Sequence, residues 1–446
     1  MAIGAFDSGI TGSLLTDPET AALFEDDAVI RAMLDVEGAL ALAEADAGLL
    51  PQASADHIAS VCRTVTIPPA DLADGTARDG VPVPVLVAEL RKAVGPEHAA
   101  FVHWGATSQD IHDTGLVLRL RQAIDLHETA LWRLAGRLAD LADTHRATPI
   151  AARTRMQQAT PTSFGLKAAV WLSSFLRNLE RLQSVRKGLL MLSFGGASGN
   201  LSALGDHALA VEARLAERLS LAVSPAPWHA VRDGYLDYAN WLALVTGTLG
   251  KIGNDLILLT QSEVAEIGLG SGGGSSTMPN KANPVGPEVL VTLARNTIGL
   301  LANMHQSALH EHERGGASWM LEWLNLPQMA IAAGAALLHA NRIFDALDVN
   351  TERMRENIEA SNGLLLAEAA SFELAARMPR PEAQALVKSA CKAALANGRH
   401  LFDVLSEITD APVDWAALRD PAGHLGQSDA FITRVLESCQ TLRRNS

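Results

Sequence analysis

The chain has 446 residues, 48% hydrophobic and 19% charged, which excludes a disordered chain and leaves room for two or three domains. A formal net charge of −14 excludes an extended nucleic-acid surface but not a locally basic pocket for an anion. Cys62, Cys391 and Cys439 are too few and too far apart for a disulfide framework or a CxxC metal site, so reduced thiols in the cytoplasm are expected.

No basic region followed by an apolar stretch opens the chain, and no uninterrupted apolar run reaches the length of a bilayer span. The run Leu256-Ile257-Leu258-Leu259 is flanked by Lys251, Asp255 and Glu263, as in a buried helix of a soluble protein. Neither a membrane nor a nucleic acid is expected as a partner.

Asp27 to Gly48 reads as a helix with Ile30, Met33, Leu34, Val36 and Leu40 on one side. Pro68, Pro69, Pro82 and Pro84 predict loops after it. Phe101 to Asp113 is polar and rich in histidine, and a strong helical segment follows. Leu116 to His145 contains no proline and one glycine, and Thr162 to Lys187 is a second such segment. The third is clearest, because Leu242, Val245, Leu249, Ile252, Leu256 and Leu259 step by three and four residues. A helix of roughly 30 residues there would be about 45 Å long. Val289 to His312 and Trp319 to Phe344 complete a set of long helices that predicts a central bundle. Leu244 and Ile257 lie off the main stripe, which predicts burial against helices of other subunits; a large monomeric bundle is the alternative. Shorter helices are expected in the tail, at Ala367 to Met378, Pro381 to Ala396 and Ala430 to Leu442. The expected fold is all-α with three helical domains: 1–114, a central long-helix bundle at 115–349, and 350–446.

The glycines of Gly268-Leu269-Gly270-Ser271-Gly272-Gly273-Gly274 match GxGxxG, but a dinucleotide site needs a strand before them and here a long helix precedes. They predict a flexible loop, with a plain linker as the alternative. Ser275, Ser276, Lys281 and Asn283 follow, bounded by Pro279 and Pro284. Lysine brings a point charge, asparagine amide donors and serine hydroxyls, so the stretch reads as an anion-binding lid. His103 to Thr114 reads as a helix N-terminus, where Thr107 and Ser108 could cap the helix, hold an anion, or both. His310-Glu311-His312-Glu313 reads as a helix-end polar cluster and not a metal site, because alternate helix positions face apart. Met156 and Trp171 read as core or pocket wall.

The segment Gly274-Ser275-Ser276-Thr277-Met278-Pro279-Asn280-Lys281-Ala282-Asn283-Pro284 resembles the GSSxMPxKxNP signature of the fumarase/aspartase superfamily. His103 to Thr114 is similar to its first shared region, and Arg153-Thr154-Arg155-Met156-Gln157-Gln158-Ala159-Thr160-Pro161-Thr162 to its second. The resemblance implies that Ser275 is catalytic and that Lys281 and Asn283 hold a substrate carboxylate. It implies substrate contacts from His103, Thr107, Ser108, Thr154 and Gln157. Many superfamily lyases carry histidine where this chain has Arg155. An arginine stays protonated, so Arg155 is expected to clamp a carboxylate or stabilise developing negative charge as a second catalytic residue.

No histidine occurs in Gly80-Val81-Pro82-Val83-Pro84-Val85-Leu86-Val87, where adenylosuccinate lyases usually have one. With His312-Glu313-Arg314, Trp319 to Pro327, Leu366 to Ala370, Arg380 to Ala383 and Asp420 to Gly426, the chain is most similar to the lactonising cycloisomerase branch. The resemblance implies a cofactor-independent cycloisomerase in the protocatechuate branch of the β-ketoadipate pathway. Its small anionic substrate would be a diene tricarboxylate that closes to a lactone. The resemblance also implies a homotetramer with shared active sites, and neither metal nor organic cofactor. The alternatives are a fumarate-releasing lyase of the adenylosuccinate or argininosuccinate type, and a catalytically silent structural relative.

Overall fold

Periodicity and proline placement decide which of these segments become helices. The computed structural model describes residues 4–270, 273–274, 278 and 281–445. Among them, nearly all regular structure is helical, and the strands form three two-stranded ribbons. The chain separates into two compact units. One comprises 1–130, 178–247 and 292–338, and the other 131–177, 248–291 and 339–446.

In the first unit, helix α1 (Asp26–Asp46) buries Ile30, Met33, Leu34, Val36 and Leu40, the side expected from their spacing. Helix α2 (Gln52–Thr64) packs on it. Gly38 permits the contact, since a Cβ there would stand 3.1 Å from the Cβ of Cys62. The expected loops around the prolines are corrected. Pro69 begins α3 (Pro69–Asp79), and Pro84 lies in the first turn of α4 (Val83–Val94). First-turn N–H groups have no partner within the helix, so proline loses nothing there and its fixed φ suits the start.

Helix α5 spans Ser108–Thr144 and so begins well before Leu116. The Asp110 carboxylate accepts from the Thr107 N–H at 2.9 Å, the backward half of a capping box that sets the start. Every residue from Gln109 to Leu120 is buried, as expected of a helix surrounded by protein. Helices α6 (Phe164–Leu189), α7 (Asp233–Leu259), α8 (Val285–Ser307) and α9 (Gly316–Asp345) follow the expected segments closely. On α7, Leu242, Val245, Leu249, Ile252 and Leu256 are all fully buried. By length and composition α7 is apolar enough to cross a membrane, but half of its apolar window is buried inside the protein. Leu244 on the same helix is exposed.

Two local expectations are corrected. Helix α8 ends at Ser307, so His310 to Glu313 lies in the connection to α9 and not on a helix. The His310 side chain is buried 3.7 Å from Glu322, whereas His312 and Glu313 are exposed. Met156 is 70% exposed and is not core, because it occupies a turn; Trp171 is buried, its indole donating to Asp255 at 2.8 Å.

In the second unit, β1 (Pro149–Thr154) and β2 (Gln157–Ser163) form an antiparallel hairpin. Its tail helices, including Arg380–Asn397 and Leu401–Ile408, enclose a core of Leu374, Val387, Leu401, Phe402 and Leu405.

Candidate functional site

The start of α5 is fastened by a buried carboxylate. Asp110 accepts from the N–H groups of Thr107, Gly195 and Gly196 at 2.9, 2.9 and 3.0 Å, and pairs with His229 Nε2 at 2.7 Å. Four partners saturate both oxygens, so the desolvated charge is compensated. Gly196 is required at its position. It has φ +68°, and a Cβ would stand 3.0 Å from the Gly105 carbonyl oxygen.

One turn along, Asp113 accepts from Trp319 Nε1 at 2.8 Å, Gln109 Nε2 at 3.0 Å and Arg232 at 2.7 Å. Arg232 also grips Glu322 through two bonds of 2.8 and 2.6 Å. Burial works against the Asp113 charge, but the Arg232 guanidinium overcomes it and holds the carboxyl well below its ordinary value. Arg314 donates to Gln109 Oε1 at 2.7 Å, while its terminal nitrogens reach only carbonyls at 3.5 Å. That leaves a cation with spare donors beside the residue that follows Ser108.

Upon this base sit Thr107 and Ser108. Both are half-buried, and among the described residues neither hydroxyl has a hydrogen-bond partner. With the Ser108 and Gln109 N–H groups, unpaired among the described residues, they make a surface suited to an anion. His103 belongs to the same unit. It has φ +63°, and its Nδ1 lies 2.6 Å from Glu37 Oε1. Burial disfavours the imidazolium, but the Glu37 charge and hydrogen bond outweigh it and raise the His103 pKa above its ordinary value. The structure therefore brings His103, Thr107 and Ser108 to the α5 N-terminus with its buried support.

Thr154, Arg155 and Gln157 lie at the tip of the β1–β2 hairpin in the second unit, all exposed. Thr154 and Gln157 face each other in register, and Arg155 and Met156 form the turn with φ +50° and +66°. Positive φ at two successive residues is a mirror-image hairpin turn that usually carries Asn-Gly, so Arg-Met is strained by about 1 kcal/mol per residue. The base of the tip is clamped. Arg153 makes two 2.8 Å bonds to the fully buried Glu266, which also accepts from Asn357 at 2.9 Å. Among the described residues Arg155 forms no ion pair, so its guanidinium is available to a ligand.

Gly273 and Gly274 pair with Asn283 and Ala282, which brings the two ends of the signature segment together. Lys281 is exposed and Asn283 half-buried just before α8. Ser275 lies outside the described residues.

The sequence pattern pointed to the segments but missed most of the support. Arg314, Trp319 and Glu322 fell inside a segment singled out without a role. His229 and Arg232 carried no local signal, because their partners are distant in sequence. Glu37 and Glu266 look like ordinary charged positions until their burial is seen. Thr107-x-x-Asp110 was readable as a capping box. Among the described residues no cluster of three or more metal-ligating side chains occurs.

Residues 15–299 match the lyase family, and residues 363–435 match the adenylosuccinate lyase C-terminus family. A 3-carboxy-cis,cis-muconate cycloisomerase of Pseudomonas aeruginosa is 43% identical, with 93% of each chain covered. One from Bradyrhizobium diazoefficiens is 40% identical, covering 97% of this chain and 98% of its own. The crystal structure of the 3-carboxy-cis,cis-muconate lactonizing enzyme from Pseudomonas putida matches with a TM-score of 0.93 at 40% identity, covering 98% of this chain and 100% of that one.

Proposed function

The chain belongs to the lyase family of the fumarase/aspartase superfamily, and from that premise we propose that it is a 3-carboxy-cis,cis-muconate cycloisomerase, forming 4-carboxymuconolactone. The observation that carries this reading is the 40–43% identity to cycloisomerases over more than nine-tenths of the chain. Arginine in place of histidine at position 155 supports it over a fumarate-releasing lyase.

In this reaction one substrate carboxylate oxygen forms a C–O bond to a diene carbon, and the π bond breaks. The electron pair moves to the carbon alpha to another carboxylate, giving an aci-carboxylate with extra negative charge. That carbon then takes one proton, so a trianion becomes a dianionic lactone. The chemistry needs donors placed before the charge develops, and losing one such donor raises a barrier by roughly 3–4 kcal/mol. We assign this role to Arg155, Lys281 and Asn283, with Thr107, Ser108 and the α5 N-terminus holding a second carboxylate. His103, whose imidazolium form is favoured by the Glu37 pair, stands with Thr107 and Ser108 at the same helix start, and Thr154 and Gln157 flank the arginine. Ser275 is assigned the proton transfer. No step calls for a metal or organic cofactor.

The homotetramer with shared sites is part of the proposal. It is supported by Val170, Leu244, Ile298 and Leu324, apolar residues left exposed on α6, α7, α8 and α9 in the single chain. The cytoplasm suits three free cysteines.

The test is direct. Purified protein should bleach the conjugated-diene absorbance of 3-carboxy-cis,cis-muconate and release no fumarate from adenylosuccinate or argininosuccinate. Fumarate release with an unchanged diene signal would overturn the assignment, and silence in all three assays would favour a structural role. A stable monomer in sedimentation at micromolar concentration would remove the shared-site tetramer.

A further inference from the structure

The first unit holds a cavity of about 650 Å³ lined by none of the residues assigned to the reaction. That volume is within the range of sites for small organic molecules. Ile30, Met33, Leu72 and Leu116 form its buried apolar wall, and Asp26 and Ala73 are exposed at its rim. The rings of His112 and Trp323, with centroids 4.7 Å apart, supply an aromatic side.

One side chain does not suit an apolar wall. Arg119 lines the cavity and is only 6% exposed. A guanidinium this deeply buried ordinarily has a carboxylate partner, and Arg232 in the same unit has two. Among the described residues Arg119 forms no ion pair. Its bonds are long: Nε to the Gly115 carbonyl at 3.4 Å and a terminal nitrogen to the Leu23 carbonyl at 3.3 Å. Its guanidinium also lies 5.6 Å from the Phe24 ring centroid. Burial lowers its pKa to about 10, which still leaves it charged at neutral pH.

A buried cation without an anion, facing an apolar and partly aromatic cavity, is half of a recognition site. We propose that the cavity binds an aromatic monocarboxylate, with the carboxylate on Arg119 and the ring between the His112–Trp323 side and the aliphatic wall. The tricarboxylate substrate is a poor match, because the wall offers one cation and Asp26 at the rim repels further negative charge. Arg119 is also eleven residues beyond Ser108 on α5, about 16 Å along the helix axis.

The probe is 2-naphthoate, titrated calorimetrically into the full-length protein, with uncharged 2-naphthamide as the comparison. The acid should bind one per chain and clearly more tightly than the amide. Arg119→Met should weaken the acid by about tenfold or more, the loss of one charge-assisted pair, and leave the amide unchanged. Ala73→Trp, which fills the rim and leaves Arg119 in place, should weaken both and guards against a folding defect in the first variant. The proposal is overturned if the acid does not bind at millimolar concentration, if acid and amide bind alike, or if neither variant alters acid binding.

Discussion

Glu44→Gln tests how the core of the first unit handles charge. Glu44 on α1 is fully buried, and neither carboxylate oxygen has a hydrogen-bond partner. Burial, with the nearby Glu37 charge adding to it, pushes its pKa from 4.5 up to about 9. The folded protein therefore keeps Glu44 protonated at neutral pH, while the unfolded chain ionises it. A raised acid pKa means that stability falls as pH rises from about 4.5 to about 9, by close to 1.4 kcal/mol per pH unit. The penalty relative to a non-ionising side chain is roughly 2 kcal/mol at pH 6 and roughly 3 kcal/mol at pH 7. Glutamine has the same shape and no titration, so it removes the slope; an unpaired amide adds only a pH-independent offset. The assay is urea unfolding of both proteins at pH 5.5, 6.5, 7.5 and 8.5, at one fixed protein concentration because assembly contributes to the midpoint. The variant's advantage should widen steadily with pH. A gap that stays constant over this range would refute a buried, protonated Glu44.

Other substitutions probe the site and its support. Arg232→Met strands Asp113 and Glu322 without their partner and should destabilise the protein by about 3–5 kcal/mol near neutrality. Because Arg232 holds the Asp113 carboxyl below its ordinary value, wild-type stability from this pair is lost only as pH falls below the carboxylate range. In the variant, Asp113 is buried without its guanidinium and protonation relieves it, so the deficit should shrink between pH 7.5 and 4.5 while the wild type still keeps its pair, which denaturation at the two pH values will check. Met156→Gly relieves the positive φ and should stabilise by about 1 kcal/mol with diene turnover kept. Arg155→Lys in the same turn should lose about 10²-fold in kcat/KM or more with an unchanged melting temperature. Ser275→Ala should lower kcat by about 10²–10⁴-fold; near-normal diene turnover would remove it from the proton transfer.

Sequence and structure agree best where a pattern is periodic. The stripe from Leu242 to Leu259 appears as one helix because apolar residues at three- and four-residue steps have few other ways to be buried together. The loop expectation at Pro69 and Pro84 failed because proline breaks a helix interior but favours a helix start, and composition does not tell the two apart. The β1–β2 hairpin left little trace. Pro149 opens one strand, Pro161 interrupts the other, and the turn uses Arg155-Met156 where a glycine would announce positive φ. In the candidate site, Thr107, Ser108, Lys281 and Asn283 were legible as donor-rich segments. Their buried supports were not, since Arg232 and Glu322 stand 90 positions apart and become partners only after folding.

The polar base under α5 also has a bearing on how the molecule is made. Asp113 is bonded to Arg232, 119 positions away, and to Trp319, 206 positions away. Closing such large loops is entropically slow, and contacts this distant in sequence tend to form late. Until all three segments meet, at least one desolvated charge lacks its partner, so partly assembled chains gain little from burying them. The free hydroxyls of Thr107 and Ser108 would then reach their final setting only when the whole unit has closed around them. A chain in which any of the three segments is unplaced would carry an incomplete anion site.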